Sequence, residues 1–215
     1  MKIEPFGPDI WVANGPNVAV IGPVMLPTRM VVVRLQDGSL WINSPIEATR
    51  MEMAEVERLG PVRDLVSPAK LHRWRLAAWN AAYPNARTWA PPEIFADTPP
   101  AQWANDLDQV VFGGNAFVRE VEFFHLKSRT LIFNDFIQNY APQPRRPLLD
   151  FFLKISGTRG GGVPNDIKWT MTRKELARRS LRKLLSWDFD NLIVAHGNDV
   201  IGGARALVES AFDFL

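Results

Sequence analysis

The 215-residue chain contains no cysteine and only three histidines, His72, His125 and His196. The first absence removes disulfides, thiolate zinc sites, iron–sulfur clusters and a cysteine nucleophile at one stroke. The second means that any imidazole-built metal centre must draw on those three residues. Long apolar runs are missing as well, since none approaches the roughly 20 residues a membrane-spanning helix needs. The opening MKIEPFGPDIWVANGP is interrupted early by proline and charge and has no signal-peptide core. The expectation is a cytoplasmic protein with no membrane partner. A strong excess of one charge is also lacking: the formal net charge is +2, which gives no case for nucleic acid. Basic residues gather at 173–183 in TRKELARRSLRKLL, without interleaved aromatics, and are expected to form a solvated helix face.

What the chain does have is a globular composition, 47% hydrophobic and 22% charged, and a length suited to one domain spanning 1–215. Its first block is rich in β-branched and aromatic runs. DIWVANGP, NVAVIGPV, RMVVVRLQ and SLWINS are separated by Gly, Pro and Asn-Gly-Pro turn signals, and LQDGSL carries a hairpin Asp-Gly pair. SPIEATRMEMAEVERLG reads as a helix, with Ser44 as cap, Pro45 in the first turn and Glu47 completing a capping box. VRDLVS reads as a strand. A helix is expected from Leu71 to Tyr83, from the spacing of Leu71, Trp74 and Ala78 with Leu76, Trp79 and Tyr83 alongside, and Pro84 ends it. NARTWAPP reads as a short edge strand.

A second strand block follows in DLDQVVFGGN, AFVREVEFFHL and SRTLIFND. Residues 138–172 are rich in Pro and Gly, with one short helix at LLDFFLKI. A helix capped by Thr172 and Glu175, a strand DNLIVAHGN and a closing amphipathic helix complete the chain. Two strand blocks, each followed by helices, do not fit a doubly wound sheet. They predict an α+β fold, a four-layer αββα sandwich.

Three polar residues fall at predicted strand ends: His72 after DLVSPAKL, Asp135 at the end of TLIFND and His196 at the end of NLIVAH. Loops at strand ends display side chains over a rigid scaffold. Two imidazoles and a carboxylate suit zinc or iron with a position left for water. The ordinary alternative for each residue is structural: a helix-start histidine, a carboxylate on loop backbone, a tight His-Gly turn. His125, beside Lys127 and Arg129, is expected at an exposed hairpin tip. Glu120 and Glu122 are expected to face solvent, with inward rotation of one as a substitute ligand. Trp74 and Trp79 are expected to pack between helix and sheet. GTRGGG at 157–162 lacks the Gly-Lys-Ser/Thr ending of a phosphate loop and reads as a flexible segment bordering the site.

Along nearly its whole length, and in order, the sequence resembles the metallo-β-lactamase fold superfamily, and more narrowly a bacterial branch catalogued as a domain of unknown function, DUF4336-like. GSLWINSP resembles the early strand that ends in Asp. DLVSPAKLHRW with WNAAYPNARTWAP resembles the Thr-His-x-His-x-Asp-His loop with its following helix and strand. FGGNAFVREVEFFHLKSRTLIFND resembles the hairpin that opens on Gly-His and closes on Gly-Asp, and DFDNLIVAHGN resembles the closing Pro-Gly-His-Gly strand. The departures are as informative. Asn43 stands for the early Asp, and Pro68, Lys70, His72 and Arg73 replace the ligands of the His-rich loop. Asn115 replaces the middle His, so only Asp135 and His196 match cleanly. Three histidines cannot furnish the usual two-metal centre.

The resemblance therefore implies one of two things. One is a hydrolase with a mononuclear site in which His72, Asp135 and His196 hold a single divalent metal, zinc first and iron or manganese as alternatives. A metal-bound hydroxide then attacks an ester-like bond, with Lys70 or Asn115 orienting the oxyanion. The other is a relative without metal or catalysis that binds a small anionic ligand through Lys70, Arg73 and a helix N-terminus. In either case the partner is a small-molecule ligand or substrate.

Overall fold

The computed structural model of the chain describes residues 1–21, 24–91 and 93–215. Gly22 and Pro23 of the expected NVAVIGPV strand, Pro92 of NARTWAPP and the side chain of Leu71 lie outside the described residues. The chain divides into two compact units, Met1–Leu107 and Asp108–Leu215.

Unit 1 is a six-stranded sheet in sequential order: β1 Ile3–Gly7, β2 Ile10–Ile21, β3 Val24–Arg34, β4 Leu40–Asn43, β5 Val62–Val66 and β6 Arg87–Trp89. Pairing is antiparallel from β1 to β4 and parallel from β4 through β6. The change of direction follows from the connections. Asp37 and Gly38 make the expected tight turn into β4, with Gly38 at φ 81° and Asp37 Oδ1 accepting the Ser39 N–H at 2.8 Å. The helices α1 Arg50–Glu57 and α2 Leu76–Ala82 then serve as the long crossovers that parallel strands require. Met30, Val32, Leu40, Ile42 and Leu65 of the sheet bury against Met53 and Val56 of α1 and Leu76 and Trp79 of α2.

Several local expectations are corrected here. The Asn-Gly-Pro sequence does not end a strand: β2 runs through it, because a register shift between Gly15 and Val18 leaves the donorless Pro16 outside the ladder. Helix α1 is capped by Thr49 and Glu52, a reciprocal capping box, and not by Ser44 and Glu47. The predicted Leu71–Tyr83 helix is broken into a 3-10 turn, Lys70–Arg73, and α2 from Leu76. Trp79 is fully buried and donates from Nε1 to Ile46 O at 2.8 Å, whereas Trp74 lies on the turn and is 61% exposed.

Unit 2 carries a sheet ordered β10-β9-β8-β7, built from β7 Leu107–Phe112, β8 Glu120–His125, β9 Thr130–Asn139 and β10 Asn191–Gly197. Between β9 and β10 come α3 Pro147–Ile155, α4 Asn165–Trp169 and α5 Lys174–Leu185; α6 Ala204–Ala211 follows β10. Phe112, Leu131, Phe133 and Val194 bury against Ala177 and Leu184 of α5 and Val208 and Ala211 of α6. The Lys and Arg residues of α5 lie toward solvent as expected, but Thr172 caps nothing: Arg173 is the N-cap residue, with no side-chain cap bond. GTRGGG is tied down, with Gly162 bridged to Gln138 and Arg159 to Tyr140. Among the described residues no helix is long and apolar enough to cross a membrane.

Candidate functional site

The carboxyl ends of the parallel strands in unit 1 carry Asn43 and the turn with Lys70 and His72, candidate positions from the sequence. Asn43 ends β4 and is buried, and Ser44 follows at φ 52°, its N–H held by Val66 O at 2.9 Å. That left-handed turn brings Ser44 Oγ to 2.8 Å from His72 Nδ1. His72 is half-buried on the 3-10 turn, which Ser67 starts by donating from Oγ to Ala69 O at 2.8 Å. Lys70 and Arg73, on the same turn, are exposed.

In unit 2 the parallel pairing of β9 and β10 does the positioning. Val194 pairs with Phe133, but His196 pairs with Gln138, so β9 advances five residues while β10 advances two. Asn134–Ile137 therefore stand against Ala195 alone and bulge from the ladder, and a bulge re-aims a side chain at the cost of backbone partners. Here it turns Asp135 toward the end of β10, where Oδ1 lies 3.1 Å from Nε2 of the buried His196. Gly197 makes this possible: at φ 112° its backbone approaches so closely that a Cβ would sit 2.0 Å from Asn139 O.

The amide groups released by the bulge find their acceptor on β8. Both carboxylate oxygens of Glu120 accept the Asp135 N–H at 3.0 Å, and Oε1 also accepts the Phe136 N–H at 2.9 Å. Glu120 is fully buried and so is Glu122, which corrects the expectation that both face solvent. All six residues of β8, an interior strand of the sheet, are buried, so both of its faces are covered. The Glu-Val-Glu-Phe alternation resembles a half-wet strand, and the Phe123-Phe124 pair that follows was the sign that both faces are covered. His125 is likewise buried, its Nδ1 2.7 Å from Ser128 Oγ, and not an exposed hairpin tip.

Burial raises the Glu120 carboxyl above its ordinary range, against the pull of its hydrogen bond to Glu122 and of the two backbone donors, with the Asp135 charge adding to the rise. Glu122 is pushed well above that range by burial, then by the Glu120 charge and by its hydrogen bond to Glu120. Burial and the neighbouring Glu120 charge both disfavour the ionised form of Glu122.

Of the sequence-predicted residues, the structure brings together Asp135 and His196, on adjacent strands of unit 2. His72 and Lys70 share a turn in unit 1. Asn115, after β7, donates from Nδ2 to Ile167 O and Thr170 Oγ1 and accepts the Phe117 and Val118 N–H groups, so its amide is occupied within unit 2. As a metal site, the Asp135–His196 spacing suits two neighbouring ligands of one ion, which would sit about 2.0–2.2 Å from each. Among the described residues, however, no group of three or more His, Cys, Asp or Glu side chains is gathered as a ligand set. The fit is that of half a centre.

No curated protein matches the chain by sequence. The family model described as "Domain of unknown function (DUF4336)" matches residues 9–103. Among solved structures, the chain is similar to an NDM_FIM-1-like metallo-β-lactamase from Erythrobacter litoralis in the mono-zinc form: 16% identity, TM-score 0.63, covering 99% of this chain and 95% of that one. It is similar in the same way to the metallo-β-lactamase FIM-1 from Pseudomonas aeruginosa, also in the mono-zinc form: 10% identity, TM-score 0.63, 99% and 93% covered. A metal-soaked Flv1 flavodiiron core from Synechocystis sp. PCC6803 is similar at 9% identity and TM-score 0.64, over 99% of this chain and 60% of that one. Identities this low speak for the fold alone.

Proposed function

Because the chain has the metallo-β-lactamase fold, we propose that it is a metal-dependent hydrolase whose site is reduced to one ion, with Asp135 and His196 as the fixed ligand pair. The observation that carries this reading is their 3.1 Å approach, made by a bulge that a purely structural sheet would not need. His72 enters from the sequence alone as the third ligand, and its own variant decides that role. A divalent ion bound there, zinc first and iron or manganese after it, would activate a water and polarise an ester-like carbonyl.

The chain's own residues supply orientation and charge. Glu120 holds the backbone of Asp135, so the carboxylate is presented without searching for a conformation. Lys70 is the cation assigned to the developing oxyanion. Asn115 acts through the loop it braces, since its amide is already taken.

A second reading, a relative without catalysis that binds a small anionic ligand near Lys70 and Arg73, is favoured by the lack of a three-membered ligand group among the described residues. The full chain, purified without chelators, separates the two by metal analysis. The hydrolase reading expects one equivalent of metal, lost in Asp135→Ala and in His196→Ala and weakened in His72→Ala. No metal, with thermal stability unmoved by zinc, manganese or iron, sinks it and leaves the anion reading, which expects phosphate to raise the melting temperature.

A further inference from the structure

Residues 138–172 hold an apolar surface that the site does not use. Helix α3 has no buried residue, although it is built from PLLDFFLKI. Leu148 is 69% exposed, Phe151 57%, Phe152 54% and Ile155 50%. At the helical angle these four side chains fall within about 100° of arc, a single stripe. Polar contacts hold the helix. Asp150 accepts the Gln143 N–H at 2.7 Å and pairs with Arg159 at 2.8 Å, and Asn165 Nδ2 donates to Ile155 O at 2.7 Å. That last bond ties the end of α3 to the start of α4, whose final residue, Trp169, is 80% exposed. Phe117, 83% exposed, lies one residue from Ala116, whose N–H donates to Thr170 O. Exposed apolar area of this kind marks an interaction surface.

Charge says what covers it. The 138–172 segment holds Arg145, Arg146, Lys154, Arg159 and Lys168 against Asp150 and Asp166, a net +3, more than the +2 of the whole chain. Arg145 and Arg146 stand exposed just before α3, and Lys154 is exposed within it. Among the described residues none of these three forms a salt bridge, while Asp150 is taken by Arg159. Two copies meeting through this stripe would set like charges against each other. A layer with an apolar interior and an anionic face satisfies both features at once, as it does for interfacial helices rich in Phe, Leu, Trp and Arg.

We infer that α3 and its flanking arginines are a docking surface for an anionic lipid bilayer, onto which the protein attaches peripherally. The sequence expectation of no membrane partner rested on the lack of a spanning run and does not bear on a helix that lies in the interface.

The test is flotation of the full chain with phosphatidylcholine vesicles, with and without phosphatidylserine. Binding should require phosphatidylserine and fall with added salt. Arg145→Gln with Arg146→Gln should lower the partition coefficient about 30-fold. Phe151→Ser with Phe152→Ser should abolish binding, with an unchanged far-UV spectrum and melting temperature, because neither side chain is part of a core. No binding to phosphatidylserine vesicles, or binding indifferent to both double variants, overturns the inference. So does a dimer in sedimentation that the Phe double variant converts to monomer, which would assign the stripe to a second copy.

Discussion

Replacing Glu122 by Gln should make the protein more stable at neutral pH, and the gain should vanish in acid. In the folded chain burial and the Glu120 charge raise the Glu122 carboxyl, so it keeps its proton. In the unfolded chain it ionises near its ordinary pKa of about 4.3. The folded state therefore binds one more proton than the unfolded state between those two values, and wild-type stability falls as pH rises through that window. One proton corresponds to about 1.4 kcal/mol per pH unit, ending where the folded carboxyl itself ionises. Gln has nearly the same shape and no acidic proton to lose. Relative to wild type, Glu122→Gln should gain about 1.4 kcal/mol for each unit of pH above about 4.3, with nothing gained below it. Urea titrations at a series of pH values, with stability taken from midpoints at a common slope, measure this difference. Parallel pH profiles for the two proteins would refute the raised Glu122 carboxyl.

Glu120→Ala should be the more damaging change. It strands the N–H groups of Asp135 and Phe136, two buried donors whose loss of a partner costs about 1–3 kcal/mol each, and should lower the urea midpoint accordingly. Glu120→Gln, which keeps one acceptor oxygen, should recover part of that loss. Gly197→Ala puts a Cβ against Asn139 O at a positive φ and should cost at least about 2 kcal/mol, with His196 displaced from Asp135 in the imidazole NMR shifts; an unperturbed spectrum would contradict this. Thr49→Ala should cost about 1 kcal/mol by opening the α1 cap. Glu47→Ala, at an exposed ion pair with Arg75, should cost well under that, and the reverse order would restore the cap predicted from sequence.

Most element positions were legible because they depend on short-range chemistry. The Asp37-Gly38 turn, the β-branched runs of β3 and β5, the edge position of β6 and the amphipathic α5 follow from side chains and backbone within a few residues. Cap positions were less legible, because Ser44 and Thr49 both open a plausible box. The chain uses Thr49 since Ser44 is engaged elsewhere, in a left-handed turn beside His72. Trp74 and Trp79 were both expected to pack between helix and sheet, but a 3-10 turn before Leu76 changes the rotation per residue and sends Trp74 to solvent.

By itself the sequence determined the inventory: no cysteine, three histidines, and polar residues at the ends of runs destined to be strands. That inventory falls short of the histidines that the two-metal centre implied by the resemblance would need, and it singles out Asp135 and His196 as candidates before any coordinates are known. Only tertiary structure decided that the two meet. Their contact depends on a bulge in β9, whose extra residues become visible once β10 pairs beside it, and on a carboxylate from β8 that satisfies the amides the bulge releases. It also decided that Glu120 and Glu122 are buried, because alternation along a strand reports two faces without saying whether either meets water. The same holds for α3, whose apolar residues announce a helix that wants covering. The sequence cannot tell that its own fold leaves them bare, because burial is set by what packs across space and not by neighbours along the chain.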